Sequence, residues 1–458
     1  MNANVPSWTL QELVRILGRE LKDVRGAARG VLRGVVTDSR GILPDCVFIA
    51  VRGAKFDGHD FAAEAGRQGA GAVVVDHFIE DCPVAQLIVE DTLDAYGAIA
   101  RSWRQRFTCP VICVVGANGK TTTTQMIASI LRSAAGAEHV LATERNFNNQ
   151  IGVPMTLLGM REETQLAVIE AGMNHPGEMS RLASFIRPDV VVVTNAQREH
   201  QEFLDGVEGS ARENGLAIVS LPENGVAVLP QSDPCAQIWK DLARARGCRI
   251  LWYAQGDESE LTVRRRGARL VIRPPEGESA EIDFALPGDH VAHDAAAAAA
   301  ASLAAGVSLA AVCRGLEAFK PVKGRGVRHE LASGAVLIDE AYNANPDSMR
   351  ASIDVLSGMK APRILIAGDM AEVGKDSPLV HAEIGAYARE KGIEQFWCAG
   401  AEMTAAAAAF GDRARHFDST GELAQAALEA AQKPVSMLVK ASNCMGFAKI
   451  VEALVQAG

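Results

Sequence analysis

Lys120 and Thr121 follow Gly116 and Gly119 at the end of a short apolar run, Val111-Ile-Cys-Val-Val-Gly-Ala-Asn-Gly-Lys-Thr-Thr-Thr-Thr124. An ammonium, hydroxyls and closely approachable backbone N–H groups gathered at one point suit a polyphosphate. Gly116, Asn118 and Gly119 shape the turn, Lys120 reaches the β- and γ-phosphates, and a hydroxyl of Thr121 or Thr122 can bind Mg²⁺. A full Walker loop would carry a glycine where Val114 stands, so this is the shorter Gly-x-x-Gly-Lys-Thr form. That chemistry requires a strand that ends at Gly116 and a helix that starts near Lys120. The chain is expected to bind a nucleoside triphosphate.

Further polar clusters fall at predicted strand ends, where ligands of parallel sheets sit. Glu170 closes an apolar run and its carboxylate suits a metal beside the loop. Thr194-Asn195 closes the next run, with His200 after it as either a ligand or a structural histidine. In Asp339-Glu-Ala-Tyr-Asn-Ala-Asn-Pro-Asp-Ser-Met349, Tyr342 can cover a base, and Asn343 and Asn345 offer uncharged amides. The same stretch also reads as an Asn-Pro turn capping a helix, with Asp347 or Ser348 near its N-terminus. Gly368-Asp-Met370 is a similar loop.

The elements needed to hold these groups are α/β throughout. Apolar runs at 47–51 and 72–75 belong to a small N-terminal unit, and a helical pattern covers 92–106. Buried strands at 167–170 and 190–194 join the run at 111–115 in a parallel sheet covered on both faces. Runs at 225–229, 249–253 and 261–272 predict an antiparallel extension, closed by an alanine-rich helix after Asp294. A linker at 319–325 leads to a third strand-helix alternation from Val336, with strands at 363–367, 395–398 and 436–439. The expected domains are 1–90, 91–316 and 317–458.

Composition agrees: 458 residues exceed one core, and 48% hydrophobic with 22% charged residues is ordinary for a globular protein. A net charge of −10 argues against nucleic acid as a partner. No run reaches the ~18 apolar residues of a membrane span. The N-terminus does not read as a signal peptide, and nine cysteines without metal-ligand spacing fit reduced thiols, so a cytoplasmic location is expected. No coiled coil or docking segment is found, and a monomer is expected.

These residues together resemble the Mur ligases of peptidoglycan synthesis. The resemblance runs through Thr37-Asp-Ser-Arg40, Phe56-Asp-Gly-His-Asp-Phe61, the phosphate loop and Asn146-Phe-Asn-Asn-Gln-Ile-Gly-Val-Pro154. It continues in Ile169-Glu-Ala-Gly-Met-Asn-His-Pro-Gly-Glu178, Tyr342-Asn-Ala-Asn-Pro346, Gly368-Asp-Met370 and Leu438-Val-Lys-Ala-Ser442. The Asn-Phe-Asn-Asn and Tyr-Asn-Ala-Asn-Pro-Asp-Ser-Met elements point to the branch that adds D-alanyl-D-alanine to UDP-N-acetylmuramoyl-tripeptide.

The resemblance implies an ATP-dependent ligase of three domains. Thr37, Asp38 and Ser39 of the first would hold the UDP end, and Asn146, Asn148 and Asn149 would also touch substrate. Gly119, Lys120 and Thr121 would bind ATP, with Mg²⁺ on Thr121, Glu170 and His200. Arg325, Tyr342 and Asn343 would complete the ATP site, and Asn345, Lys440 and Ser442 would lie near the dipeptide. Lys120, Glu170 and His200 would be the catalytic set. Hinges near residues 90 and 316 would let the domains close.

Three departures from the family pattern stand out. Where many Mur ligases place a carbamoylated lysine, this chain has Asn214 in Ala211-Arg-Glu-Asn-Gly-Leu216, and no lysine occurs between Lys120 and Lys240. Glu199 or Glu202 is expected to replace the missing charge in part, unless the second metal position is altered. His290-Val-Ala-His-Asp294 replaces His-Asn-x-x-Asn, and Lys440-Ala-Ser-Asn443 replaces Lys-Gly-Ser-Arg. Alternatives are the diaminopimelate- or lysine-adding ligase, whose Asp-Asn-Pro-Arg motif is missing here, folylpolyglutamate synthase, and a non-catalytic precursor-binding regulator.

Overall fold

The computed structural model describes residues 5–28, 30–53, 55–256, 259–284 and 286–458. Three main sheets follow one another along the chain. The first has five strands, in the spatial order Leu21–Arg25, Ala85–Val89, Ala72–Val75, Val47–Ile49 and Val35–Val36. The second has nine, running Ala280–Asp283, Arg269–Arg273, Leu261–Arg266, Arg249–Gln255, Val226–Pro230, Val190–Val193, Val111–Val115, Leu166–Glu170 and Val140–Ala142. The third has six: Val327–Glu330, Val336–Asp339, Ser436–Lys440, Arg363–Gly368, Gln395–Ala399 and Ala414–Phe417.

Val111–Val115 is buried at every position, as β-branched residues in a strand covered on both faces should be. Both its neighbours, Leu166–Glu170 and Val190–Val193, pair with it in parallel. The chain leaves it toward one edge and then crosses to its other side, so the strand order reverses there and a crevice opens at the carboxyl ends. One face is packed by helices Thr92–Arg104, Glu178–Ile186, Gly206–Val219 and Ala236–Arg246, whose apolar residues form one core with the first sheet. Trp8 and Trp103 meet edge to face within it, 6.0 Å apart. Helices Lys120–Ala135, Asp289–Ala304 and Leu309–Glu317 cover the other face.

Several sequence expectations require correction. Strands Val226–Pro230, Arg249–Gln255 and Leu261–Arg266 pair in parallel and so extend the main sheet; within this extension only the pairings of Leu261–Arg266 with Arg269–Arg273 and of Arg269–Arg273 with Ala280–Asp283 are antiparallel. The run 261–272 is two strands, because Gly267 takes a positive φ of 63° and turns the chain back. The alanine-rich helix starts at Asp289, which places His290, His293 and Asp294 inside its first turns. Short strands such as Val35–Val36 and Val140–Ala142 give no periodic signal of their own. Among the described residues, no helix is long and apolar enough to cross a membrane, and all nine cysteines are free.

Candidate active site

A cleft of about 1340 Å³ opens between the carboxyl ends of the second and third sheets. Its floor is the phosphate loop. Gly116 and Gly119 have positive φ of 123° and 79°, and a Cβ on either would lie 2.2 Å from a polar oxygen, Thr194 Oγ1 or Asp294 Oδ1. Neither position admits a side chain, so the bare backbone lines the turn. Helix Lys120–Ala135 begins directly after Gly119, so its N-terminal N–H groups point to the cleft. Lys120 Nζ donates to Gly116 O at 2.5 Å and Ala117 O at 2.9 Å, and lies 3.2 Å from Glu199 Oε2.

Glu170 ends its strand 1% exposed. Its Oε1 accepts from Thr121 Oγ1 at 3.1 Å and Asn148 Nδ2 at 2.7 Å, while its backbone N–H donates to Thr143 Oγ1. Its Oε2 is buried and has no hydrogen-bond partner among the described residues. An orphaned carboxylate oxygen beside a threonine hydroxyl fits a hard cation. Asn146 and Asn149 line the same wall.

On the opposite wall, Arg325 stacks 4.0 Å over the Tyr342 ring. Lys440 is buried and donates to Asn343 O at 2.9 Å, with Glu340 at 3.4 Å. Burial lowers its pKa, which Glu340 opposes. Ser442 Oγ accepts the N–H of Ala371 at 2.8 Å. Asn345 caps helix Pro346–Ser357 in a box with Ser348, and its amide also exchanges hydrogen bonds with Asn118 at 2.8 and 3.2 Å. The capping and the functional readings of that stretch therefore coexist.

The structure brings Asn118, Gly119, Lys120, Thr121, Thr122, Glu170, His200, Tyr342, Asn343, Asn345, Lys440 and Ser442 to one cleft. It does not bring Thr37, Asp38 and Ser39 there: they follow Val35–Val36 in the first sheet, where the Arg40 side chain holds the Asp38 carboxylate down at about 2. His200 lines the cleft with a φ of 47°, and its Nδ1 pairs with Glu372 of the third unit.

Glu199 touches Asn214, whereas Glu202 is exposed and offers its backbone N–H to Glu372 O. Sequence reading passed over Arg198, which joins Asp347 and Glu383 across the cleft. It marked Asp294 only within a departure from the family pattern, and the structure packs that residue against Gly119. Burial holds Asp294 well above the usual carboxylate range, against the pull of Arg325. Its sequence signal was its place in His290-Val-Ala-His-Asp294, where the family pattern has an asparagine.

Comparisons with known proteins agree with this geometry. Residues 31–104 match the Mur ligase family catalytic domain, 114–302 the Mur ligase middle domain, and 324–443 the Mur ligase glutamate ligase domain. The chain is 36% identical to UDP-N-acetylmuramoyl-tripeptide–D-alanyl-D-alanine ligase of Escherichia coli over 99% of both chains. It superposes on MurF from Acinetobacter baumannii with a TM-score of 0.90 at 29% identity, over 99% of this chain and 100% of that one. MurF ligase from Thermotoga maritima, solved in complex with ADP, shares the fold with a TM-score of 0.81 at 22% identity, over 92% and 97% of the two chains. The chain belongs to the Mur ligase family, the ATP-dependent peptide ligases of peptidoglycan synthesis.

Proposed function

We propose that the chain joins D-alanyl-D-alanine to UDP-N-acetylmuramoyl-tripeptide at the expense of ATP, giving the pentapeptide precursor. The observation that carries this reading is the convergence of a phosphate loop, an orphaned carboxylate and a second wall with Tyr342, Asn345 and Lys440 on one cleft. The full-length likeness to relatives bearing that name supports it.

The terminal carboxylate of the tripeptide attacks the γ-phosphorus of ATP, ADP leaves, and an acyl phosphate forms. Lys120 leaves its loop carbonyls for the phosphates and offsets the charge that develops there. Thr121 and Glu170 would hold Mg²⁺, and His200, which lines the same cleft, would join them; the ion would supply charge neutralisation to the phosphates. The dipeptide amine then attacks the acyl carbon, the tetrahedral intermediate expels phosphate, and the amine proton passes to solvent. Asn118 and Asn345 hold the two walls together, which keeps water from the acyl phosphate.

Gly116, Gly119 and Thr122 cradle the phosphates, and Arg325, Tyr342 and Asn343 take the nucleoside side. Asn146, Asn148 and Asn149 face the tripeptide, with Thr37, Asp38 and Ser39 at its UDP end, while Lys440 and Ser442 face the dipeptide. The working units are 1–90, 91–316 and 317–458. Incubation with ATP and both substrates should yield ADP, phosphate and a product heavier by one dipeptide less water in equal amounts. Precursor binding without any product would overturn the assignment.

A further inference from the structure

Glu199 is a buried carboxylate that the reaction as described does not use. It is 5% exposed, a costly place for a charge unless both oxygens are held. They are: Oε1 accepts from Ser210 Oγ and Asn214 Nδ2, each at 2.8 Å, and Oε2 faces Lys120 Nζ at 3.2 Å. Asn214, 1% exposed, turns its own Oδ1 to the Gly116 N–H at 2.9 Å. Helix Gly206–Val219 thus grips the phosphate loop directly and holds one acidic side chain against it.

Once Lys120 turns to a bound triphosphate, Oε1 stays clamped while Oε2 loses its cation. The cleft then holds two carboxylates, Glu170 and Glu199, each with one oxygen fixed and one free. We infer that Glu199 supplies a carboxylate oxygen to a second divalent cation at the nucleotide phosphates, with Ser210 and Asn214 as the residues that position it. Asn214 itself has no amine to take up CO₂, so the anion does not depend on carbamoylation. This rests on the ligase reading above.

The test uses the full chain and its Glu199→Gln variant, which keeps the shape and removes the charge. Mn²⁺ binding in the presence of a non-hydrolysable ATP analogue is followed by electron paramagnetic resonance. Phosphate release is followed in CO₂-depleted and in bicarbonate buffer. The unaltered chain should turn over equally in both buffers. Glu199→Gln should bind Mn²⁺ about 10-fold more weakly and lose about 100-fold in kcat, with its melting temperature retained.

Turnover of the unaltered chain that falls on CO₂ depletion would overturn the inference. So would a folded Glu199→Gln that binds Mn²⁺ and turns over as before. If Glu199→Gln does not fold, the CO₂ comparison on the unaltered chain decides alone. An unaltered chain that releases no phosphate in either buffer defeats the ligase reading instead, so the two failures are distinct.

Discussion

Arg198 and Asp347 lie 149 residues apart in the chain, and the arginine reaches the aspartate through its backbone N–H, Nε and Nη2 at 2.8, 3.0 and 2.7 Å. Glu383 takes Nη1 at 2.8 Å, so one side chain of the central unit is held by two acids of the third. The side chains are 28%, 23% and 37% exposed, which leaves the pair partly shielded from solvent. Arg198 and Asp347 both line the cleft, so the contact ties one of its walls to the other.

Arg198→Ala is therefore expected to lower kcat/KM about 10-fold, or about 1.4 kcal/mol in the barrier, while nucleotide binding to the central unit changes little. A double-mutant cycle with Asp347→Asn should give a coupling of about 1–3 kcal/mol. Additive effects of the two substitutions would show that the contact does not hold the walls.

Glu170→Gln keeps a donor-acceptor side chain for Thr121 and Asn148 but removes the charge of the unpartnered oxygen. The Mg²⁺ concentration for half-maximal turnover should rise at least about 10-fold. A titration that superposes on that of the unaltered chain would remove Glu170 from the metal site.

Gly119→Ala places a methyl 2.2 Å from Asp294 Oδ1 at a φ of 79°. The strain is of the order of 1–3 kcal/mol, and the added group intrudes on the turn that takes the phosphates. ADP affinity measured by calorimetry should fall at least about 10-fold, a drop of about 1.4 kcal/mol. Unchanged affinity would mean that the loop accepts a side chain and that the nucleotide sits elsewhere.

Asp294 carries the clearest pH signature. Its folded pKa lies well above its ordinary value because of burial, so between the two values the unfolded chain has already lost the proton that the folded chain keeps. Stability from this group is complete below the unfolded pKa and declines as pH rises toward the folded one, by at most about 1.4 kcal/mol per pH unit. Asp294→Asn should therefore raise the melting temperature at pH 8, with the gain shrinking toward pH 5. A gain that is independent of pH would show that the carboxyl is not held protonated.

The phosphate site was legible because its parts are consecutive: the strand, two glycines, a lysine and threonines fall within 111–124, and local order fixes their geometry. Glu170 was legible because it closes a buried strand. The contacts that bring the two walls together were not, since Arg198 with Asp347 and His200 with Glu372 depend on how separate units dock. Asn214 stood out by its departure from a family pattern, but only the fold shows that Glu199, not Glu202, reaches it. The pairing of 226–230 with 249–255 was read as antiparallel because short buried runs carry no sign of direction.

The most direct test of the account is phosphate release from ATP in the presence of UDP-N-acetylmuramoyl-tripeptide, with and without D-alanyl-D-alanine, using Lys120→Ala as the blank. The account predicts release that depends on the dipeptide, matches pentapeptide formation one to one, and falls to background in Lys120→Ala. Release that ignores the dipeptide, or that survives the loss of Lys120, would contradict it.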